Sequence, residues 1–322
     1  MIISPRKEKE MKVGIIGAGR VGATAAFSLI MRGVGREIVL VDLDKVRASA
    51  EAQDLNHAVP FANPLTVKSG GFADLAGAKV VIITAGVARA QGETRLELLV
   101  RNAAVFREIV PQVLQYAPDA ILLITTNPVD VMTHLAAQYA QELGVPSSRV
   151  IGSGTTLDTA RFRSLLGQHL DIDPEHVHAY VLGEHGDSEV VPFSPVTVGN
   201  IPLREFCDQW NICLEGPDMK RMADQVRYAG AEVIKGKGAT YYGIGSALTK
   251  IVEVILGDQR ALLTVCTPLK EVAGVKDVTL SLPQLVSGEG VVNALNVPLN
   301  DEEASELHNS AKVIREAIEH LA

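Results

Sequence analysis

The glycine-rich motif GAGRVG constrains the fold more strongly than any other stretch of the chain. It follows the apolar run VGII at 13–16 and precedes a helical pattern, with glycines at Gly17, Gly19 and Gly22. Between a strand and a helix, this G-x-G-x-x-G spacing permits a tight turn, close approach of a diphosphate to the backbone, and tight helix–strand packing. Free N–H groups at the helix start also favour an anion. The motif predicts a dinucleotide-binding βα unit, with an ordinary strand–turn–helix as the alternative.

An acidic residue in register with this motif favours the dinucleotide interpretation. A second predicted strand, 37–41, ends in Asp42, twenty positions after Gly22. A carboxylate at that place can bind the ribose hydroxyls of NAD and repels the additional phosphate of NADP. The sequence therefore predicts NAD as the cofactor.

The order of predicted elements divides the chain into two packed lobes. Strands and helices alternate over 11–152, which predicts a Rossmann-type doubly wound parallel sheet that forms an NAD-binding domain. The pattern over 153–322 is mixed and predicts an α+β catalytic domain. Residues 1–10 are charged and lack the apolar core of a signal peptide, so we expect a disordered extension there.

Composition excludes several classes of partner. A net charge of −8 argues against nucleic acid and anionic membranes, and no apolar run approaches membrane-spanning length. The three cysteines have neither metal-type spacing nor an even disulfide framework. We therefore expect a cytoplasmic protein without a metal site, because unpaired cysteines fit a reducing compartment.

Three residues in the middle of the chain suit acid–base chemistry beside a carboxylate. Asp158 and Arg161 are three positions apart in a predicted helix, 155–170, so they share one face. Asp158 can hold the imidazole of His185 in one tautomer and raise its pKa. Arg161 is then free to bind a substrate carboxylate with its planar fork. This set predicts chemistry on the carbon next to a carboxyl group.

Two loops at the carboxyl edge of the predicted sheet carry further candidates. A loop after the strand at 79–84 contains Arg89 and Arg95, which could close over an anion and exclude water. Two solvated surface arginines are the alternative. After the strand at 120–125, Asn127 could donate to a substrate oxygen or orient the nicotinamide, with a plain turn residue before proline as the alternative.

From residue 11 to its end, the chain resembles the NAD-dependent L-lactate and malate dehydrogenase family. The resemblance rests on motifs that match in type, order and spacing: GAGRVG, VDLD, ITAGVA, GETRLELL, TTNPVDV, LDTARFR, LGEHGDSEV and KGATYYG. It implies reversible hydride transfer between NADH and a 2-oxo acid, which gives a 2-hydroxy acid.

The resemblance also implies a role for each matching residue. It makes His185 the proton donor and acceptor, with Asp158 as its partner. Arg161 becomes the anchor for the substrate carboxylate, and Arg95 polarises the reacting carbonyl. Asn127 would contact both substrate and cofactor. These roles agree with the chemistry, since a cation stabilises the negative charge that develops on the carbonyl oxygen.

Further positions follow from the same resemblance. Thr84, Ala85 and Gly86 would line the cofactor cleft, and Thr240 would lie near the variable end of the substrate. The family resemblance implies a homotetramer, with a dimer as the alternative. Arg163 and His178 match two positions at which allosteric bacterial lactate dehydrogenases bind fructose 1,6-bisphosphate at a subunit interface. The alternative for these two is a pair of ordinary surface residues.

The identity of the substrate turns on Arg89. In this family the position typically carries arginine in malate dehydrogenases and glutamine in lactate dehydrogenases. An arginine balances the second carboxylate of oxaloacetate, whereas pyruvate would leave the guanidinium without an anion in a closed site. We therefore expect malate and oxaloacetate. L-Lactate dehydrogenase is the alternative, because LGEHGDSEV, LDTARFR and KGATYYG resemble bacterial lactate enzymes.

A non-catalytic NAD-binding protein is the remote alternative, since a fold does not determine a function. Such a protein would be free to lose its reactive residues. His185, Asp158, Arg95 and Arg161 are all present, so the sequence favours an active enzyme.

Overall fold

A computed structural model describes residues 11–87 and 95–321, except for the side chains of residues 95 and 96. The first half of the chain alternates strands with helices. Its strands are β1 (Lys12–Ile16), β2 (Glu37–Val41), β3 (Thr66–Ser69), β4 (Val80–Ile83), β5 (Ile121–Ile124) and β6 (Val150–Gly152). Its helices are α1 (Arg20–Arg32), α2 (Lys45–Ala58), α3 (Arg95–Tyr116) and α4 (Val129–Glu142).

The second half is mixed, as the sequence predicts. Its helices are α5 (Thr156–Leu170), α6 (Leu203–Trp210), α7 (Gly216–Lys237), α8 (Tyr242–Leu256) and α9 (Asp301–Glu319). Its strands are β7 (Val177–His178), β8 (Thr197–Val198), β9 (Ile201–Pro202), β10 (Ala261–Leu263), β11 (Cys266–Val272), β12 (Val275–Ser281), β13 (Gln284–Ser287) and β14 (Gly290–Ala294).

The main sheet has the strand order β12-β11-β6-β5-β4-β1-β2-β3, and its strands from β1 to β6 run parallel. Strands β4 and β5 are buried along their whole length, as expected of central strands covered on both faces. One apolar core packs under α3, α4 and α9, and a second packs under α1, α2 and α8. The predicted doubly wound Rossmann sheet is confirmed.

The hairpin of β11 and β12 links the two halves of the chain. These antiparallel strands come from the second half, yet β11 pairs with β6 through Cys266 and Gly152. The sequence shows no sign of this connection, because antiparallel extension of a sheet depends on contacts between residues far apart in the chain. A third core, under α5, α6 and α7, belongs to the second half alone.

The strand order reverses between β1 and β4, and this reversal determines where a ligand can bind. From β1 the sheet proceeds to β2 and β3 on one side and to β4, β5 and β6 on the other. In open α/β sheets, the crevice outside the carboxyl ends of such neighbouring strands binds ligands. Every helix among residues 11–87 and 95–321 is too short or too polar to cross a lipid bilayer.

Candidate active site

The turn from β1 into α1 leaves room for a diphosphate. Gly17 has φ of +104°, a conformation that favours glycine, and a Cβ on Gly22 would lie 1.9 Å from the carbonyl oxygen of Gly17. A Cβ on Gly19 would meet no atom within 4 Å, so open space lies in front of this residue. No side chain caps the start of α1, which leaves its first N–H groups for an anion. The turn therefore fits the dinucleotide of NAD.

Asp42, at the end of β2, holds this turn in place. Its Oδ2 accepts a hydrogen bond of 2.6 Å from the N–H of Ala18, and its Oδ1 accepts one of 2.9 Å from the N–H of Asp44. Each carboxylate oxygen can accept more than one bond, so these contacts leave acceptor capacity for a ribose hydroxyl.

The segment after β4 borders the same crevice. The hydroxyl of Thr84 lies 3.0 Å from the carbonyl oxygen of Gly17, which joins the ends of β1 and β4. The hydroxyl of Thr126 donates to the carbonyl of Ala85 at 2.6 Å, which joins the ends of β4 and β5. Gly86 follows as an exposed residue. The structure thus brings the predicted cofactor-cleft residues to one edge of the sheet.

Asn127 lies at this edge next to a buried residue that the sequence analysis missed. Asn127 is exposed and precedes Pro128 through a cis peptide bond. The amide of the buried Asn102, on α3, donates to the carbonyl of Asn127 at 3.3 Å and accepts from the N–H of Val87 at 2.9 Å. Asn102 therefore joins the loops after β4 and β5. Its polar side chain on a helix face carries no local sequence signal of this role.

The central feature of the site is a carboxylate shared between a histidine and an arginine. Asp158 has 2% of its side chain exposed, and its Oδ2 lies 2.6 Å from Nδ1 of His185. Its Oδ1 accepts a hydrogen bond of 2.7 Å from Nη1 of Arg161. The structure thus brings the three predicted residues together. It differs from the sequence expectation in one respect, since Arg161 is not free of Asp158 but bonded to it.

Local structure explains this arrangement. Asp158 and Arg161 lie three positions apart near the start of α5, so both side chains project from one face of the helix. His185 belongs to a loop that backbone pairing closes, because Leu182 and Val190 exchange two hydrogen bonds of 2.9 Å. Residues 179–181, between β7 and this pairing, form no strand, and the loop that follows brings the imidazole to Asp158 on α5.

The surroundings of His185 favour its charged form. Burial lowers the pKa of the imidazole, but the hydrogen bond to Asp158 and the charges of Asp158, Asp130 and Glu189 raise it, and the balance is a pKa of about 9. With Nδ1 directed at Asp158, the protonated ring presents Nε2 as a donor. The arrangement can therefore deliver one proton from Nε2 at neutral pH and take it back.

Two buried acids near His185 were missed by the sequence analysis. Asp130, in the first turn of α4, accepts a hydrogen bond of 2.8 Å from the backbone N–H of His185, and burial raises its pKa to about 7. Glu189 lies in the His185 loop with 4% of its surface exposed. Both residues stand inside motifs that the sequence analysis quoted, but burial of a carboxyl depends on the packing of separate elements.

The structure describes the three remaining candidates, Arg89, Arg95 and Thr240, to different extents. Arg89 lies outside the described residues. Arg95 begins α3, and its side chain is not described. Thr240 is half-buried in the connection between α7 and α8. Three residues further on, a Cβ on Gly243 would lie 3.0 Å from Leu157, so the first turn of α8, directly after this connection, contacts the start of α5.

The two candidate effector residues are neighbours in space. Nε of Arg163 donates to the carbonyl of Ala179 at 2.9 Å, and its guanidinium carbon lies 5.3 Å from the ring centre of Tyr180. His178 is exposed on β7, directly before Ala179. The structure therefore brings Arg163 to the segment that carries His178.

Several known proteins are similar to this chain over nearly its whole length. It is 58% identical to the L-lactate dehydrogenase of Geotalea daltonii over 311 residues, which cover 97% of this chain and 99% of the relative. It is 51% identical to the L-lactate dehydrogenase of Chloroherpeton thalassium, over 97% of this chain and 100% of the relative. A crystal structure of minor L-lactate dehydrogenase from Enterococcus mundtii superposes with a TM-score of 0.93 at 38% identity, covering 98% and 99% of the two chains.

These relatives overturn the expectation of malate and oxaloacetate, which is wrong. Eight relatives between 42% and 58% identical carry the name L-lactate dehydrogenase. The expectation rested on the single residue Arg89 and on its enclosure with the substrate. An arginine that keeps its contact with water pays no desolvation cost and does not discriminate against pyruvate in that way.

Family profiles match the two halves of the chain in turn. Residues 11–152 match the profile described as the NAD binding domain of lactate/malate dehydrogenase, and NAD is therefore the cofactor. Residues 155–322 match the profile described as the alpha/beta C-terminal domain of the same family. Since these two profiles together span residues 11–322, this chain belongs to the lactate/malate dehydrogenase family.

Proposed function

We propose that the chain is an NAD-dependent L-lactate dehydrogenase that interconverts pyruvate and L-lactate. The observation that carries the proposal is the carboxylate of Asp158, whose two oxygens engage His185 and Arg161 at 2.6 and 2.7 Å. One buried acid thereby holds a proton donor and a carboxylate anchor side by side. The names of the relatives favour lactate over other 2-hydroxy acids.

The first half of the chain would bind the cofactor. The turn at Gly17, Gly19 and Gly22 would receive the diphosphate, and Asp42 the ribose hydroxyls. We assign the rest of the cleft to Thr84, Ala85, Gly86 and Asn127. Bound NAD supplies a carbon that gives or accepts a hydride.

The substrate residues divide the work of binding and proton transfer. The guanidinium N–H groups of Arg161 that Asp158 does not use would bind the carboxylate of pyruvate. Nε2 of His185 would donate its proton to the carbonyl oxygen during reduction and accept it back during oxidation of lactate. Asp158 would stabilise the imidazolium and fix the tautomer of the neutral imidazole. We assign polarisation of the carbonyl to Arg95 and contact with the methyl end to Thr240.

We further propose two domains with a boundary at residue 152, a homotetramer with a dimer as the alternative, and a cytoplasmic location. At Arg163 and His178 we propose a phosphate-binding site for fructose 1,6-bisphosphate at a subunit interface. Arginine and protonated histidine can donate charge-assisted hydrogen bonds to a phosphate group. The exposed position of His178 supports this assignment.

The test compares kcat/KM with NADH for pyruvate and for oxaloacetate, each with and without fructose 1,6-bisphosphate. We expect a preference for pyruvate, and we expect fructose 1,6-bisphosphate to lower its KM or to increase the tetramer population. His185→Ala is the control for the chemistry and should lose activity with both substrates. A preference for oxaloacetate would contradict the proposed substrate, and no response to the bisphosphate would contradict only the effector site.

A further inference from the structure

Glu189 is a buried carboxyl that the proposed reaction does not use. It has 4% of its surface exposed, and Oε1 finds no hydrogen-bond partner among residues 11–87 and 95–321. A buried carboxyl oxygen without a hydrogen-bond partner is costly.

The backbone holds Glu189 firmly. Its N–H donates to the carbonyl of Gly186 at 3.2 Å, and its carbonyl accepts a bond of 3.1 Å from Nη2 of Arg227 on α7. The neighbouring residue, Val190, exchanges two backbone bonds with Leu182 at the base of the loop. The backbone bonds that close the loop therefore fix the position of Glu189 beside the reactive histidine.

The side chain of Glu189 lies against the reactive pair. A carboxylate oxygen of Asp158, a ring nitrogen of His185 and a carboxylate oxygen of Glu189 all lie within 4.8 Å of one another. A negative charge within about 4–6 Å of an imidazolium favours the protonated ring by roughly 1–3 pKa units. An ionised Glu189 would therefore make His185 hold its proton more tightly.

We propose that Glu189 is a positioning residue for proton transfer, whose ionisation extends the protonated range of His185 to higher pH. This inference rests on the proposed function. Asp158 binds the imidazole directly and stays paired with Arg161, whereas Glu189 makes no such bond and acts through its charge.

The charges around Glu189 agree with this role. Burial raises the pKa of Glu189 to about 8, and the charge of Asp158 raises it too, while His185, Arg227 and Arg161 oppose the shift. The charges that act on His185 are Asp158 from α5, Asp130 from α4 and Glu189 from its own loop. Glu189 in turn faces Asp158 and Arg161 from α5, Arg227 from α7, and His185. Glu189 thus ionises over the pH range in which His185 would otherwise release its proton.

The experiment measures the titration of His185 directly. The imidazole nitrogens are followed by NMR against pH in the chain without ligands, and the His185→Gln spectrum identifies the signal among the eight histidines. We expect Glu189→Gln to lower the titration midpoint of His185 by about one unit, and Glu189→Asp to recover part of the loss. Should Glu189→Gln fail to fold, Glu189→Met, also uncharged and of similar length, replaces it.

The kinetic counterpart is kcat/KM for pyruvate in the same variants. Glu189→Gln should match the unmodified chain at pH 7 and fall about fivefold below it at pH 9, because the proton donor is depleted earlier. Glu303→Gln is the matched control, since Glu303 is also buried but accepts from the N–H groups of Phe193 and Ser194. That variant should lower Tm and leave the midpoint of His185 unchanged.

The outcomes separate the two proposals. An unchanged His185 midpoint in Glu189→Gln would overturn the role of Glu189 whether or not pyruvate is reduced. Failure of the unmodified chain to reduce pyruvate would overturn the proposed function, while the NMR titration would still decide the role of Glu189. A midpoint that falls equally in Glu303→Gln would also overturn the inference, because the effect would then be a general one.

Discussion

Oδ2 of Asp158 lies 2.6 Å from Nδ1 of His185, while Oδ1 of the same carboxylate accepts a hydrogen bond of 2.7 Å from Nη1 of Arg161. Charge-assisted hydrogen bonds of this length are stronger than those between neutral groups. Removal of the shared carboxylate should therefore disturb proton transfer and substrate binding together.

Asp158→Asn tests this coupling. An amide cannot stabilise the imidazolium as a carboxylate does, and it can hold the wrong tautomer, so we expect kcat for pyruvate to fall by about 10²–10⁴-fold. The matched control is Asp218→Asn. Like Asp158, Asp218 forms an ion pair with the arginine three residues later in the chain, Arg221, at 2.7 Å, but it lies outside the site. The control should retain kcat, and a loss of the same size in both variants would contradict the assignment.

Arg161→Lys tests the carboxylate anchor. Lysine keeps the positive charge but lacks the planar fork that can bind a carboxylate while one arm holds Asp158. We expect KM for pyruvate to rise by roughly 30–100-fold, which corresponds to about 2–3 kcal/mol. Steady-state kinetics at saturating NADH measure the effect. An unchanged KM would show that another residue binds the carboxylate.

The pKa of His185 predicts opposite pH profiles for the two directions. Because this pKa is about 9, pyruvate reduction should be constant through neutral pH and fall above about pH 9. Lactate oxidation needs the neutral ring and should rise towards the same pH. Initial rates in both directions from pH 6 to 10 provide the measurement. Parallel profiles would be inconsistent with a single group that donates and accepts the proton.

The raised pKa of His185 also determines how the free energy of unfolding changes with pH. The folded pKa lies above the ordinary value of 6.5, so the charged imidazole stabilises the fold fully below pH 6.5, and this contribution is lost as pH rises through about 9. His185→Gln should therefore flatten part of the dependence of unfolding free energy on pH between those values. Urea unfolding at pH 6 and pH 9.5 compares the two chains.

Two glycines of the cofactor turn should respond differently to alanine. In Gly22→Ala the new Cβ would lie 1.9 Å from the carbonyl oxygen of Gly17, so Tm should fall and NADH binding should be lost. In Gly19→Ala the Cβ meets no atom, so Tm should hold while the methyl group hinders the diphosphate. Thermal unfolding and NADH fluorescence separate these effects. Normal NADH affinity in Gly19→Ala would exclude close approach at that residue.

Patterns that are local in the chain were predicted well. The run from β1 through the glycine turn into α1 follows from short-range spacing, and so does the parallel sheet that the alternation implies. The pairing of Asp158 with His185, 27 positions apart, was also predicted. That prediction succeeded because each residue stands in a recognisable motif with a chemical need for the other.

Inference from one loop residue failed. Arg89 pointed to malate, while the motifs around Asp158 and His185 pointed to bacterial lactate enzymes, and the relatives agree with the motifs. A charge selects a substrate only through its distance from the ligand and its exclusion from water, and neither quantity is written in residue type.

By itself, the sequence determined the Rossmann fold and the cofactor and predicted the residues to which we assign proton exchange, since these depend on periodicity, turn chemistry and paired motifs. Only the tertiary structure decided that Asn102 joins two loops, that Asp130 holds the backbone of His185, and that Oε1 of Glu189 finds no hydrogen-bond partner in the described part of the chain. These residues belong to different elements of the chain. Their burial arises only when those elements pack together and exclude water, and this burial raises the pKa of the two carboxyls, Asp130 and Glu189.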